Sequence, residues 1–169
     1  ESKRMIENMC VCYSSEYGVS VTIARLAQTF GAGVSSKDTR VFAQFAHSAM
    51  TGEDIVLHTA GTSCGNYVYT ADAATAIFTL LKKGISGECY TVANETSSMR
   101  IKDMAELVAN CVADGKIRVV VDIPADKQFG YAPDVKLKLD ASKLRSLGWK
   151  PQINLEESYK RLIKYWQEN

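Results

Sequence analysis

The residues with the types and spacing for chemistry fall into a few short stretches. Gly61 to Gly65, GTSCG, has the spacing of a hydrolase nucleophile elbow. That elbow needs a helix directly after Ser63, so that the hydroxyl is held at a sharp turn over a helix N-terminus. Here a strand-like run, Asn66 to Thr70, follows, and both histidines, His47 and His58, precede Ser63 instead of lying later in the chain. A hairpin turn is the expected use of these residues. Gly31-Ala32-Gly33 has two glycines of a dinucleotide-binding loop, but Ser36 stands where the third is needed and the next helix opens later. His47 and His58 have no Cys, Asp or Glu at ligand spacing, so no metal is expected.

The stretch that best suits a ligand is Val21 to Val34, VTIARLAQTFGAGV. Its β-branched and apolar start reads as a buried strand, Val21 to Leu26, and Gly31 and Gly33 then break regular structure. In open α/β sheets, ligands bind beyond the carboxyl ends of the strands, so the loop Ala27 to Gly33 is the expected site. An ordinary strand with a glycine turn is the alternative.

Apolar residues at helical spacing predict a helix from Ser2 to Tyr17, stopped by Gly18. A second helix is expected at Arg40 to Met50, ending near Gly52, then strands at Ile55 to His58 and Asn66 to Thr70. A helix with Asp72 near its start and Gly84 as its stop follows, then a strand at Glu88 to Val92. Ile101 to Val112 reads as one helix and Ile117 to Val121 as a strand. Asp140 suits the cap of a helix at Ala141 to Leu147, and Asn154 with Glu157 forms a capping box for a last helix burying Leu155, Tyr159, Leu162, Ile163 and Trp166. Ile123 to Val135, with two of the three prolines, is the expected mobile loop.

At 169 residues the chain is the size of one domain, and a net charge of +1 without a basic run gives no reason to expect nucleic acid. Its most apolar run, Ala71 to Leu81, is far short of a bilayer span, so no membrane is expected. The five cysteines are odd in number and lack framework spacing, which fits reduced thiols in the cytoplasm.

Several segments, in order over nearly the whole chain, resemble the extended short-chain dehydrogenase/reductases, the nucleotide-sugar epimerase and 4,6-dehydratase group. ESKRMIEN is similar to that family's Y-x-x-S-K helix, with Lys3 as the lysine, and IARLAQTFGAGV to its R-x-x-N-x-x-G-P strand and loop. RVFAQFAHSAMTGEDIVLH resembles the helix and strand that fold over the nucleotide base, and NYVYTADAATAI the R-D-Y-V-x-V-x-D-x-x-x-A segment. GECYTVAN and LDASKLRSLGWKP resemble the family's later strand and ending.

The resemblance implies an α/β fold: the C-terminal part of a Rossmann-type domain, about residues 1–34 and 66–95, plus the small α/β substrate-binding domain, with the N-terminal NAD-binding part outside this chain. It implies a parent enzyme using NAD(P) on a nucleotide-diphosphate sugar through a 4-keto intermediate, dimeric through the helix at 2–17. The family's Tyr, four residues before Lys3, would fall two positions before Glu1. The chain alone is therefore expected to be inactive and to bind no cofactor, and a truncated, non-catalytic nucleotide- or partner-binding module is the alternative. By the same resemblance Lys3 serves catalysis and the nicotinamide ribose, Ala27 borders the nicotinamide, and Gln28 binds the diphosphate in place of an Asn. Val41, Phe42, Leu57 and His58 line the base pocket, although core packing is an equal reading for Phe42. Gly65 stands where the family has a diphosphate-clamping Arg, a charge that glycine cannot supply. Arg40, Arg100 and Lys127 are the candidate replacements.

Overall fold

The computed structural model describes residues 1–123 and 133–169. The chain opens with α1 (Ser2–Tyr17), whose apolar spacing carries the helix up to Gly18 in the left-handed conformation. β1 (Ile23–Leu26) follows, two residues shorter at its start than expected. The expected loop after it is instead a second strand, β2 (Gln28–Phe30). The chain changes partner at Ala27: β1 runs parallel to β5 (Cys89–Val92), whereas β2 runs parallel to β4 (Cys64–Tyr69).

Between them come α2 (Val41–Thr51), closed by Gly52 at φ 79, and β3 (Ile55–Leu57). The segment Gly61 to Gly65 is not a hairpin turn. β3 pairs in parallel with β7 (Val119–Val121), so the segment carries the chain from that sheet to β4. α3 (Thr70–Lys83) then packs on β1, β2 and β4. β6 (Asn94–Arg100) is a strand where none was expected, and it pairs antiparallel with β4 across a bulge between Gly65 and Tyr67. Its polar residues are used internally: Ser97 Oγ donates to Tyr67 O at 2.6 Å, and Asn94 Nδ2 donates to Ile153 O at 3.0 Å.

The helix expected at Ile101 to Val112 is α4 (Ile101–Leu107) followed by a π-helical turn, Val108–Val112, in which Ala113 N–H reaches back five residues to Val108 O. α5 (Ser142–Ser146) and α6 (Leu155–Glu168) close the fold. Asp140 accepts the Ser142 N–H at 2.8 Å, and Asn154 caps α6 by accepting from Glu157 N–H at 2.8 Å. The return half of the capping box is replaced by an ion pair from Glu157 to Arg161.

Two apolar clusters result. One joins Phe30, Phe42, Phe45, Tyr67, Met104, Val108, Tyr159 and Leu162, and the other joins Ala27, Val68, Ala76, Tyr90, Val92, Leu144 and Trp149. β2 and β4 contribute to the first through Phe30 and Tyr67, and β4 to the second through Val68, because successive strand residues face opposite sides. Among the described residues no helix is long and apolar enough to cross a membrane, no group of His, Cys, Asp and Glu could hold a metal, and all five cysteines are free thiols. The loop expected to be mobile lies largely outside the described residues, as does Lys127.

Candidate functional site

α2 starts at Arg40 in an extended conformation, and its two faces diverge from the first turn. Residues three and four apart share a helix face, so Val41, Gln44 and Phe45 lie together, Phe45 reaching from the cleft into the core, while Ala43 and Ala46 are wholly in the core. The first group forms one wall of a cleft of about 330 Å³. β3 and the segment after it supply Val56, Leu57, His58, Thr59 and Ser63 opposite, and Ile101 and Asp134 complete the lining.

Three of the predicted base-pocket residues, Val41, Leu57 and His58, therefore meet at one cleft although sixteen or more positions separate the first from the other two. Phe42 does not join them. It is fully buried and stacked on Phe30 at 4.6 Å between ring centres, one position round the helix from the cleft-facing row. Sequence reasoning missed Gln44, Phe45, Val56, Thr59, Ser63, Ile101 and Asp134 as lining residues. The spacing of Gln44 and Phe45 from Val41 was a usable signal. Asp134 offered none, since its place beside Thr62 and Ser63 comes from a contact spanning about seventy positions.

Asp134 is fixed by hydroxyls. Thr62 Oγ1 donates to Oδ2, Ser63 Oγ donates to Oδ1 at 3.2 Å, and Ser63 Oγ in turn accepts Val135 N–H at 3.1 Å. Ser63 thus serves as a strut at the cleft rim, and a strand instead of a helix follows it, so it has no elbow geometry. His58 Nδ1 lies 3.1 Å from Asp122 O. His47 packs elsewhere: it stacks on Trp166 at 4.5 Å and donates from Nε2 to Ser36 O at 2.8 Å.

The remaining predicted residues lie on other elements. Lys3 is exposed in the first turn of α1. Ala27 is buried at the carboxyl end of β1, where its N–H donates to Val92 O at 2.8 Å, and Gln28 opens β2 with an exposed side chain in register with Tyr67. The change of sheet between Ala27 and Gln28 is a strand-end switch point of the kind beside which α/β proteins take ligands.

Of the three cations named as replacements for the arginine lost at Gly65, two are engaged. Arg40 holds Asp38 through Nε and Nη2, at 3.0 and 2.6 Å to Oδ2, which keeps the carboxyl below its usual range and the guanidinium above. Arg100 holds Asp103 in the same two-pronged way, at 2.8 and 2.6 Å, with the same pair of shifts. Gly65 itself is crowded: a Cβ there would stand 2.8 Å from the Tyr67 hydroxyl. Burial pushes that phenol up to about 12, so it stays a neutral neighbour.

A sequence model of the NAD dependent epimerase/dehydratase family matches residues 1–93. Among curated proteins, UDP-glucuronic acid decarboxylase 1 of Danio rerio is 30% identical over 167 residues, which cover 98% of this chain and 38% of that one. Among solved structures, UDP-glucose 4-epimerase of Thermotoga maritima, determined with UDP-glucose, superposes with a TM-score of 0.82 at 24% identity. The match covers 98% of this chain and 52% of that one. The dTDP-glucose 4,6-dehydratase of Bacillus anthracis, determined with NAD, gives 0.75 at 17% identity, over 96% and 50% of the two chains. The two structural likenesses are of fold, and in all three the chain spans about half or less of the relative's length.

Proposed function

Since the chain belongs to the NAD dependent epimerase/dehydratase family, we propose that it is the C-terminal portion of an NAD(P)-dependent nucleotide-sugar epimerase or 4,6-dehydratase acting through a 4-keto sugar. In this reading residues 1–34 and 66–95 complete a Rossmann-type domain, and the rest forms the sugar-nucleotide half. The observation that carries it is the convergence of Val41, Leu57 and His58 on one cleft between α2 and β3. Apolar walls with a few convergent polar groups suit a planar base.

The nicotinamide cofactor, when bound in the parent, supplies the hydride acceptor. The residues here fit its neighbourhood: Ala27 has its methyl group packed in the core where the chain changes sheets, so backbone there would border the nicotinamide, and the Lys3 side chain is exposed for the ribose. A tyrosine four residues before Lys3 in the parent would share its helix face, and the ammonium would lower the phenol's pKa for proton exchange with a sugar hydroxyl. Gln28 would reach the diphosphate with its amide. The chain alone would bind the nucleotide and not turn over or retain NAD(P). We place the parent in the cytoplasm.

A second reading, a non-catalytic nucleotide- or partner-binding module, is favoured by one observation: Gly65 supplies no charge and Arg40 and Arg100 are already paired. One experiment separates the two. The intact mass and N-terminal sequence of the naturally expressed protein are measured, and NAD reduction is followed with UDP-, dTDP- and GDP-sugars. A Rossmann-sized extension with the tyrosine in place, and hydride transfer, is the expected result; a protein that binds a nucleoside diphosphate but never reduces NAD would leave only the module.

A further inference from the structure

We propose that the cleft between α2 and β3 takes a guanine base, read by the Asp134 carboxylate, so that the ligand is a guanosine diphosphate sugar. The inference rests on the nucleotide-sugar reading above and narrows it. Val41, Phe45, Leu57 and Ile101 give the cleft apolar walls suited to a flat ring. A ring so held is selected by whatever polar group meets its edge. Asp134 brings a carboxylate to the lining, and it is held there by the hydroxyls of Thr62 and Ser63, one on each oxygen.

A carboxylate accepts at about four lone-pair sites. With one hydroxyl on each oxygen, each oxygen keeps an acceptor site. Two neighbouring acceptors match a base edge with two neighbouring donors. Guanine has that edge, in N1–H and the N2 amino group. Uracil and thymine present one N–H between two carbonyl oxygens, which would face the carboxylate with charge of the same sign. Adenine and cytosine present one amino group beside a ring-nitrogen acceptor, which leaves one carboxylate oxygen unpaired. Discrimination follows from acceptors left without partners in the wrong complexes. Among the described residues Asp134 forms no ion pair that would cancel its charge. The preference differs from that in the relatives' names, which specify UDP and dTDP.

The test is equilibrium binding of GDP, UDP, dTDP and ADP to this chain and to its Asp134→Asn variant, by titration calorimetry. The expected result is GDP binding at least ten-fold tighter than the other three, with the GDP-to-UDP ratio falling at least ten-fold in the variant. An unchanged circular dichroism spectrum and unfolding temperature serve as the variant's folding control, and the four-nucleotide comparison on the unmodified chain stands without the variant. UDP or dTDP binding tighter than GDP overturns the guanine assignment and leaves the nucleotide-sugar reading in place. A GDP preference unchanged in the variant overturns the role of Asp134. Binding of none of the four overturns both this inference and the reading it rests on.

Discussion

Asp72 shows how one side chain joins distant parts of this chain. It lies buried in the first turn of α3, and its Oδ2 accepts the N–H groups of Gln152 at 3.0 Å and Ile153 at 2.9 Å, just before the α6 cap. Asp72→Ala would leave two backbone donors without partners, at about 1–3 kcal/mol each. Urea denaturation is expected to show that loss, and a midpoint unchanged from the unmodified chain would refute the joint. The position of Asp72 at a helix start was legible in the sequence; its partners eighty positions on were not, because a backbone N–H leaves no mark on residue type. Phe42 teaches the same lesson: an aromatic beside a pocket residue on a helix reads equally as lining or core, and only the stack on Phe30 settles it. Gly31 is also decided by its surroundings. Its φ is 143°, and a Cβ would lie 2.3 Å from the Tyr69 ring, so close approach of the loop to β4 demands glycine there.

At the scale of elements, amphipathic helices were readable and polar strands were not. α1, α2 and α6 announce themselves by apolar spacing and by Gly18, Gly52 and Asn154 at their ends. β6, with the sequence NETSSMR, has no apolar alternation, and it is held by pairing with β4 and by buried Ser97 and Asn94 hydrogen bonds. The β3 and β7 pair gives an electrostatic prediction. Asp54, just before β3, accepts Arg118 N–H at 2.8 Å and pairs with its guanidinium at 3.0 Å, and these contacts, the backbone bond foremost, hold its pKa below the usual value. A carboxyl whose pKa is lower folded than unfolded contributes stability that is present above its unfolded value, about 3.9. That contribution is lost as pH falls through the folded value. Thermal unfolding followed from pH 6 downward is expected to show a shallower acid limb for Asp54→Asn than for the unmodified chain. Superimposed acid limbs would show that the pair adds nothing to stability.

In the whole molecule, α1 contributes no buried residue: Met5, Ile6, Met9, Tyr13 and Tyr17 all face outward. We propose that this stripe joins two copies in the parent, and its behaviour can be tested on the chain itself. Light scattering behind size exclusion is expected to give twice the 18.6 kDa chain mass at tens of micromolar, and the monomer mass for Ile6→Glu/Met9→Glu, with unfolding temperature unchanged. A monomeric unmodified chain, or a variant that stays dimeric, would exclude this stripe as the contact. The sequence by itself determined the α/β class, nearly every helix and its caps, and, through the order of its motifs, the family, because local periodicity and end residues are properties of neighbours along the chain. It also named Val41, Leu57 and His58 together, and the three line one cleft. Only the tertiary structure decided that the chain changes sheets at Ala27, that GTSCG crosses between sheets, that Arg40 and Arg100 are already paired, and that Asp134 stands at the cleft. Each of those depends on contacts between residues far apart in sequence, and such contacts are set by packing and pairing that no local pattern records.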